Sequence, residues 1–299
     1  MNTKLDNKEI NKLKEKNHIT NFGIFSNDLN DENMIKEHLS NHEGMISNGF
    51  VDNPEIFNFN INDNLTYISI LKEYGKFYNN DKMLINLISN LTNPDDYLSV
   101  AGAIDGAFII VDAVEGVNET HEKVLYTYLT NDLIPILIIN NVNRLIVELN
   151  LNPEEMQNRF LYLYMNINKI ILNISHDEKY KVDLTDGTVS FGCLSDNWLI
   201  NIPTMQETGI NFMNIIQYYH ENREKELSAR IPINKTLIDM ALYHFSDLDK
   251  KSEPPFKDIN NKSILNLNQT SVRPNFCHNC GAKIEGKYKF CINCGNPIQ

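Results

Sequence analysis

Ala101–Leu149 reads AGAIDGAFIIVDAVEGVNETHEKVLYTYLTNDLIPILIINNVNRLIVEL. Within it, Ala107–Val111 and Ile134–Ile139 are short runs without a polar side chain, each followed by a polar loop and then a helical pattern. Apolar runs of this length are expected where a strand is covered on both faces. Asn118–Tyr128 is long enough to cross over as a helix, so the pair predicts a right-handed βαβ unit of a parallel sheet. Ligand loops in such sheets lie beyond the carboxyl ends of the strands. Here those loops are Asp112–Gly116 (DAVEG) and Asn140–Asn143 (NNVN).

At 299 residues, with 42% apolar side chains, the chain can bury one large core and carry a small second module. The formal charge is −12, which argues against a surface that coats nucleic acid. The charge is uneven. Phe256–Gln299 carries six Lys/Arg against two Asp/Glu, which leaves 21 against 37 in the first 255 residues. No apolar run reaches the roughly 20 residues that span a bilayer, and no signal-peptide core opens the chain. A cytoplasmic protein without a membrane partner is expected.

Met1–Asn17 reads as a solvated leader helix, with Ile10 and Leu13 on one side. Ile19–Phe25 predicts the first strand, Leu65–Leu71 and Met83–Ile88 a pair further on. Pro153–Ile174 predicts a long amphipathic helix, followed by the segment Val182–Phe191. Asn211–Arg223 and Lys235–His244 read as closing helices. Cys193 lacks a neighbouring His or Lys to activate it and is read as buried filler, and Trp198 as a core residue. Neither His220 nor His244 has a spaced ligand partner.

Three stretches, Ala103–Val117 (AIDGAFIIVDAVEGV), Pro135–Phe160 (PILIINNVNRLIVELNLNPEEMQNRF) and Gly187–Phe212 (GTVSFGCLSDNWLINIPTMQETGINF), resemble the G domain of archaeal and eukaryotic elongation factor 2, the ribosomal translocase. The resemblance runs from about Asn17 to about Leu248. It implies an α/β fold: a doubly wound sheet like that of P-loop GTPases. It also implies where nucleotide contacts should lie, and there this sequence departs from the family. The loop NKxD, whose Asp holds guanine, is here Asn140, Asn141, Val142 and Asn143. The phosphate loop AHxDHGKT aligns with Ser26–Asn33 (SNDLNDEN), so that Asp31, Glu32 and Asn33 stand for Gly, Lys and Thr. Nothing in Phe50–Asp63 supplies the Thr of the first switch, and Ser89 begins the stretch that replaces DTPGH.

Glycines and a Lys close such a loop on phosphate. A carboxylate about 4 Å from a phosphate instead costs on the order of 1–4 kcal/mol per pair at surface-like dielectric. Asp28, Asp31, Glu32, Asn33, Ser89, Asn141 and Asn143 are accordingly read as positions of a degenerate nucleotide site. No GTP and no enzymatic activity are expected, with Asp31 and Glu32 complementing a helix N-terminus.

After a polar linker over 249–273, Cys277-x-x-Cys280 and Cys291-x-x-Cys294 form two pairs, each followed by Gly281 or Gly295. This C-x₂-C…C-x₂-C spacing predicts one structural zinc held by four thiolates. The organisation expected is therefore a leader (1–17), a G-domain-like body (18–248), a linker (249–273) and a zinc ribbon (274–299). The resemblance implies a ribosome-bound regulator of translation, a pseudo-GTPase of hibernation type, at the large-subunit factor site and stalk proteins. Lys283, Lys287, Lys289 and Tyr288 of the tail could meet rRNA or an acidic protein. Two alternatives stand beside it: a scaffold in a non-ribosomal complex, and an enzyme that uses the remodelled cleft with Asp28, Asp31 and Glu32 around a metal.

Overall fold

The computed structural model describes residue 11, residues 19–40, 55–60, 66–74, 81–89, 98 and 100–248. The predicted leader, linker and zinc ribbon lie outside these residues.

The chain order is β1 (Ile19–Phe25), α1 (Leu29–Ser40), β2 (Glu55–Asn60), β3 (Thr66–Tyr74), β4 (Asp81–Ser89) and β5 (Gly106–Asp112). It continues with α2 (Glu119–Thr130), β6 (Ile134–Asn140), α3 (Val142–Val147), α4 (Pro153–Ser175), β7 (Val189–Cys193) and β8 (Trp198–Asn201). Four helices close it: α5 (Ile202–Thr208), α6 (Phe212–His220), α7 (Glu224–Arg230) and α8 (Ile233–Leu248). The strands form one eight-stranded sheet in the order β2-β3-β4-β1-β5-β6-β7-β8. Its centre, from β4 through β1, β5 and β6 to β7, is parallel, while β2/β3, β3/β4 and β7/β8 are antiparallel.

The two apolar runs that decided the fold are buried from both sides, in alternation. Ala107, Ile109 and Val111 of β5, with Leu137 and Ile139 of β6, face a core shared with α2, α4 and α6. Phe108, Ile110, Ile136 and Ile138 face the opposite core, which Ile35 of α1 and Leu237, Ile238, Met240 and Ala241 of α8 complete. Each such aliphatic side chain contributes about 1.5–3 kcal/mol by leaving water. With helices on both faces the sheet is doubly wound, as the sequence predicts.

Local chemistry sets the helix ends. Asn118 accepts from the backbone of Thr120 and His121, and Asn152 from Glu155, whose carboxylate bonds back to Asn152 N. Pro153 sits at the first turn of α4, where its missing N–H costs nothing.

Within the segment Val182–Phe191 the strand β7 begins only at Val189, because Asp183, Asp186 and Thr188 tie residues 183–188 into turns by side-chain-to-backbone bonds. Two departures from the sequence reading have simple causes. Residues 55–60, read as a switch replacement, form the edge strand β2 against β3. The short helices α5 and α7 went unread because each is only seven residues, too few to show periodicity. Gly192 marks the tightest passage: a Cβ there would stand 2.4 Å from the Trp198 carbonyl oxygen across the β7/β8 pair. Among the described residues no helix is long and apolar enough to cross a membrane.

Candidate functional site

The loops after β1, β5, β6 and β7 follow parallel strands and so lie at one edge of the sheet, where α/β folds place their ligand crevice. On the β1 side, Ser26 Oγ donates to Asp31 Oδ2 at 2.7 Å and accepts from Asp28 N at 3.1 Å. Asp28 Oδ1 accepts from Asn30 N at 2.9 Å, so Asp28 is the residue that caps the start of α1. Asp31 turns away from that role. Its Oδ1 accepts from Asn140 Nδ2 at 2.8 Å, and Asn140 Oδ1 in turn accepts from Leu194 N at 2.9 Å.

One buried amide thus joins the ends of β1, β6 and β7. Asn140 also binds β5, since its carbonyl accepts from Ala113 N at 2.8 Å. Asp31 is 8% exposed and, among the described residues, forms no ion pair; burial above all, then the nearby Asp28 and Asp112, push its carboxyl up to about 6.

On the β5 side the chemistry is different. Asp112 Oδ1 accepts from Val114 N and Glu115 N, and Oδ2 from Asn141 Nδ2 at 2.7 Å and Arg144 Nη1 at 3.0 Å. Asn141 reaches Asp112 because its backbone is left-handed, with φ 59°. Arg144 further pairs with Glu115 and Glu148. Beneath this loop Arg159 of α4 is buried and donates to the carbonyls of Ala113 and Val114 at 2.7 and 2.6 Å. Burial lowers its pKa.

His121 links α2 to both neighbours. Its Nε2 lies 3.0 Å from the Ile110 carbonyl, and its Nδ1 2.8 Å from Asn118 Oδ1 and 3.3 Å from Asn27 Nδ2. Burial holds its pKa below the usual imidazole value.

The remaining positions singled out from the sequence are dispersed. Glu32 is fully buried, Ser89 is buried at the end of β4, Asn33 is exposed, and Asn143 Oδ1 accepts from Arg144 N. Cys193 is buried, with its thiol pushed up to about 12 by desolvation. That fits filler, not a nucleophile. Trp198 is buried and donates to the Tyr219 hydroxyl at 2.8 Å.

Asp31 and Glu32 are both buried, Asp31 bonded to Ser26 and Asn140. One expectation is corrected here. Asp28, Asp31 and Glu32 do not assemble a metal site, since no three His, Cys, Asp or Glu side chains among the described residues gather closely enough to hold an ion. Sequence reasoning missed Asn140, Asp112, Arg144 and His121 as the joints of the crevice. Of these only Arg144 left a local signal, its i,i+4 spacing to Glu148.

Comparison with known proteins bears on the same crevice. The family model for the elongation factor Tu GTP binding domain matches residues 96–247, and a zinc-ribbon domain model matches residues 276–298. Elongation factor 2 of Methanosphaera stadtmanae is 35% identical over 236 residues, 76% of this chain and 32% of that protein. Elongation factor 2 of Methanocaldococcus jannaschii is 35% identical over 246 residues, 79% of this chain and 34% of its own length. The chain spans about a third of the length of these relatives. A solved structure of translation elongation factor SelB from Methanococcus maripaludis, in complex with the GTP analogue GppNHp, superposes with a TM-score of 0.35 at 17% identity, over 59% of this chain and 30% of that one.

The expectation that the chain is not an enzyme is overturned. A match to a GTP binding domain and 35% identity to elongation factor 2 point to a GTPase. That expectation rested on Asp31 and Glu32 as acids open to a phosphate, and both are buried.

Proposed function

The chain belongs to the family of the elongation factor Tu GTP binding domain, and on that premise we propose that it is a cytoplasmic translation factor that engages the ribosome and regulates translation there. The observation that carries this reading is the 35% identity to elongation factor 2 over 236 residues, in a chain whose doubly wound sheet and converging strand-end loops are intact. The surface involved would be the one a G domain presents to the large-subunit factor site and its stalk proteins. Occupancy of that site excludes the elongation factor itself, so competition supplies the mechanism of control, down to the silencing of idle ribosomes.

A guanine nucleotide is the ligand class that family membership supports for this end of the sheet, and residues 26–33 hold neither the glycines nor the Lys of the usual phosphate cradle. This chain's own residues order the surroundings: Asn140 aligns three strand ends, and Asp112 with Arg144 and Asn141 fixes the loop after β6. In the tail, Cys277, Cys280, Cys291 and Cys294 supply the four thiolates that tetrahedral zinc takes, and the match to a zinc-ribbon model supports that donor set. The metal would fold the ribbon, and its basic residues Lys283, Lys287 and Lys289 would add a second contact to rRNA or an acidic protein, raising avidity through the linker.

Sucrose-gradient sedimentation of cell extract tests the reading. The protein is expected in ribosomal fractions and displaceable by excess elongation factor; recovery wholly at the top of the gradient sinks the proposal. GTP turnover, measured with and without ribosomes in the same preparation, establishes whether occupancy is timed by hydrolysis.

A further inference from the structure

Asp31 is a buried carboxyl that ties together elements distant in sequence. Its carboxylate accepts the Ser26 hydroxyl from the loop after β1 and the Asn140 amide from the end of β6. Asn140 passes the connection on to Leu194 N in the loop after β7. Three loops that border the crevice are fastened through one buried carboxyl.

Among the described residues, the charged groups placed around it are acids or already paired. Asp28 on its own side and Asp112 at the end of β5 are both acids that disfavour its ionised form. Glu32 is buried in the same first turn of α1. Arg144 is committed to Asp112, Glu115 and Glu148, and His121 reaches Asn27.

We propose that Asp31 is a proton-linked latch: the closed crevice binds one more proton than a crevice whose loops after β1 and β6 have parted. The neutral acid can keep both contacts. Its O–H donates to Ser26 Oγ, which retains lone pairs, while the other oxygen still accepts from Asn140. The carboxylate keeps the contacts as well, but leaves a negative charge buried beside two others. Opening hydrates that charge. Rising pH therefore favours the open crevice and falling pH the closed one.

The sign follows from linkage. The closed form holds its proton up to about 6, whereas a hydrated Asp lets go near 3.8, so the open-to-closed ratio rises about tenfold between pH 5 and pH 7.

Amide hydrogen exchange on the full chain tests this without nucleotide or ribosome, so its outcome stands apart from the proposed function. Exchange is followed from pH 5 to 7.5 in peptides covering 19–31, 134–141 and 189–195, corrected for the intrinsic rate and referenced to peptides of α4. In the wild-type protein, protection of the three segments should fall about tenfold more than that of α4 over pH 5 to 7. In Asp31→Asn, which resembles the neutral acid, it should stay level with α4. Equal pH slopes in wild type and variant would overturn the proposal, as would a wild-type slope no steeper than that of α4. If Asp31→Asn does not fold, the wild-type slope alone decides.

Discussion

Two aspartates follow neighbouring parallel strands, Asp31 in the first turn of α1 after β1 and Asp112 at the end of β5, and they live under opposite rules. Asp112 is partly exposed, paired with Arg144 and bonded by two backbone N–H groups. Asp31 is buried, bonded only to neutral donors, and carries a raised pKa. The same carboxyl group thus serves as an ordinary loop staple in one place and as a strained joint in the other. What differs is water and a cation, neither of which is a property of the residue itself.

The largest effect should come from removing the amide that connects the two sides. Asn140→Ala would orphan Asp31 Oδ1 and Leu194 N together, and two buried polar groups left unpaired cost roughly 4 kcal/mol. Chemical denaturation measures it, and a cost below about 1 kcal/mol would show that the joint bears little.

Next in size, and opposite in sign, is Asp31→Asn. Because the folded carboxyl is raised from 3.8 to about 6, its favourable contribution is complete below pH 3.8 and is lost as pH rises through 6. At pH 7.5 the variant should therefore be more stable than wild type by about 3 kcal/mol, and at pH 4 equal to it. Melting curves at the two pH values check this; a difference of the same size at both would mean packing, not charge, is responsible.

Asp112→Asn sharpens the contrast from the other side. It keeps acceptor oxygen for the loop but gives up the pair with half-exposed Arg144, a loss of about 0.5–1 kcal/mol that added salt should shrink. Destabilisation here beside stabilisation at Asp31 would confirm that environment, not residue type, separates them.

The smallest expected effect lies in the tail. Cys277→Ser should abolish stoichiometric zinc in metal analysis while leaving the melting midpoint of the body unchanged, because a ribbon of this kind folds around its own ion. A shift of the body's midpoint would show that the tail is part of the same cooperative unit.

Much of this protein can be read along the chain. The apolar runs of β5 and β6 announce strands covered on both faces, Asn118–Tyr128 and Pro153–Ile174 announce helices, and paired cysteines announce a metal. Those features are local: they depend on residues one to four apart, whose mutual positions the backbone period fixes in advance. The extent of the family resemblance was legible for the same reason.

The meaning of SNDLNDEN was not. Whether Asp31 faces phosphate, solvent or protein turns on Asn140, 109 residues away, and on Ser26 rotating toward it. From the sequence two acids looked like a charge reversal open to a ligand, and that view led to the expectation of no enzymatic activity, which family membership overturns. The chain by itself determined which elements form and in which order they wind. Only the tertiary structure decided which carboxyl loses its water, because desolvation is set by what the other strands bring alongside.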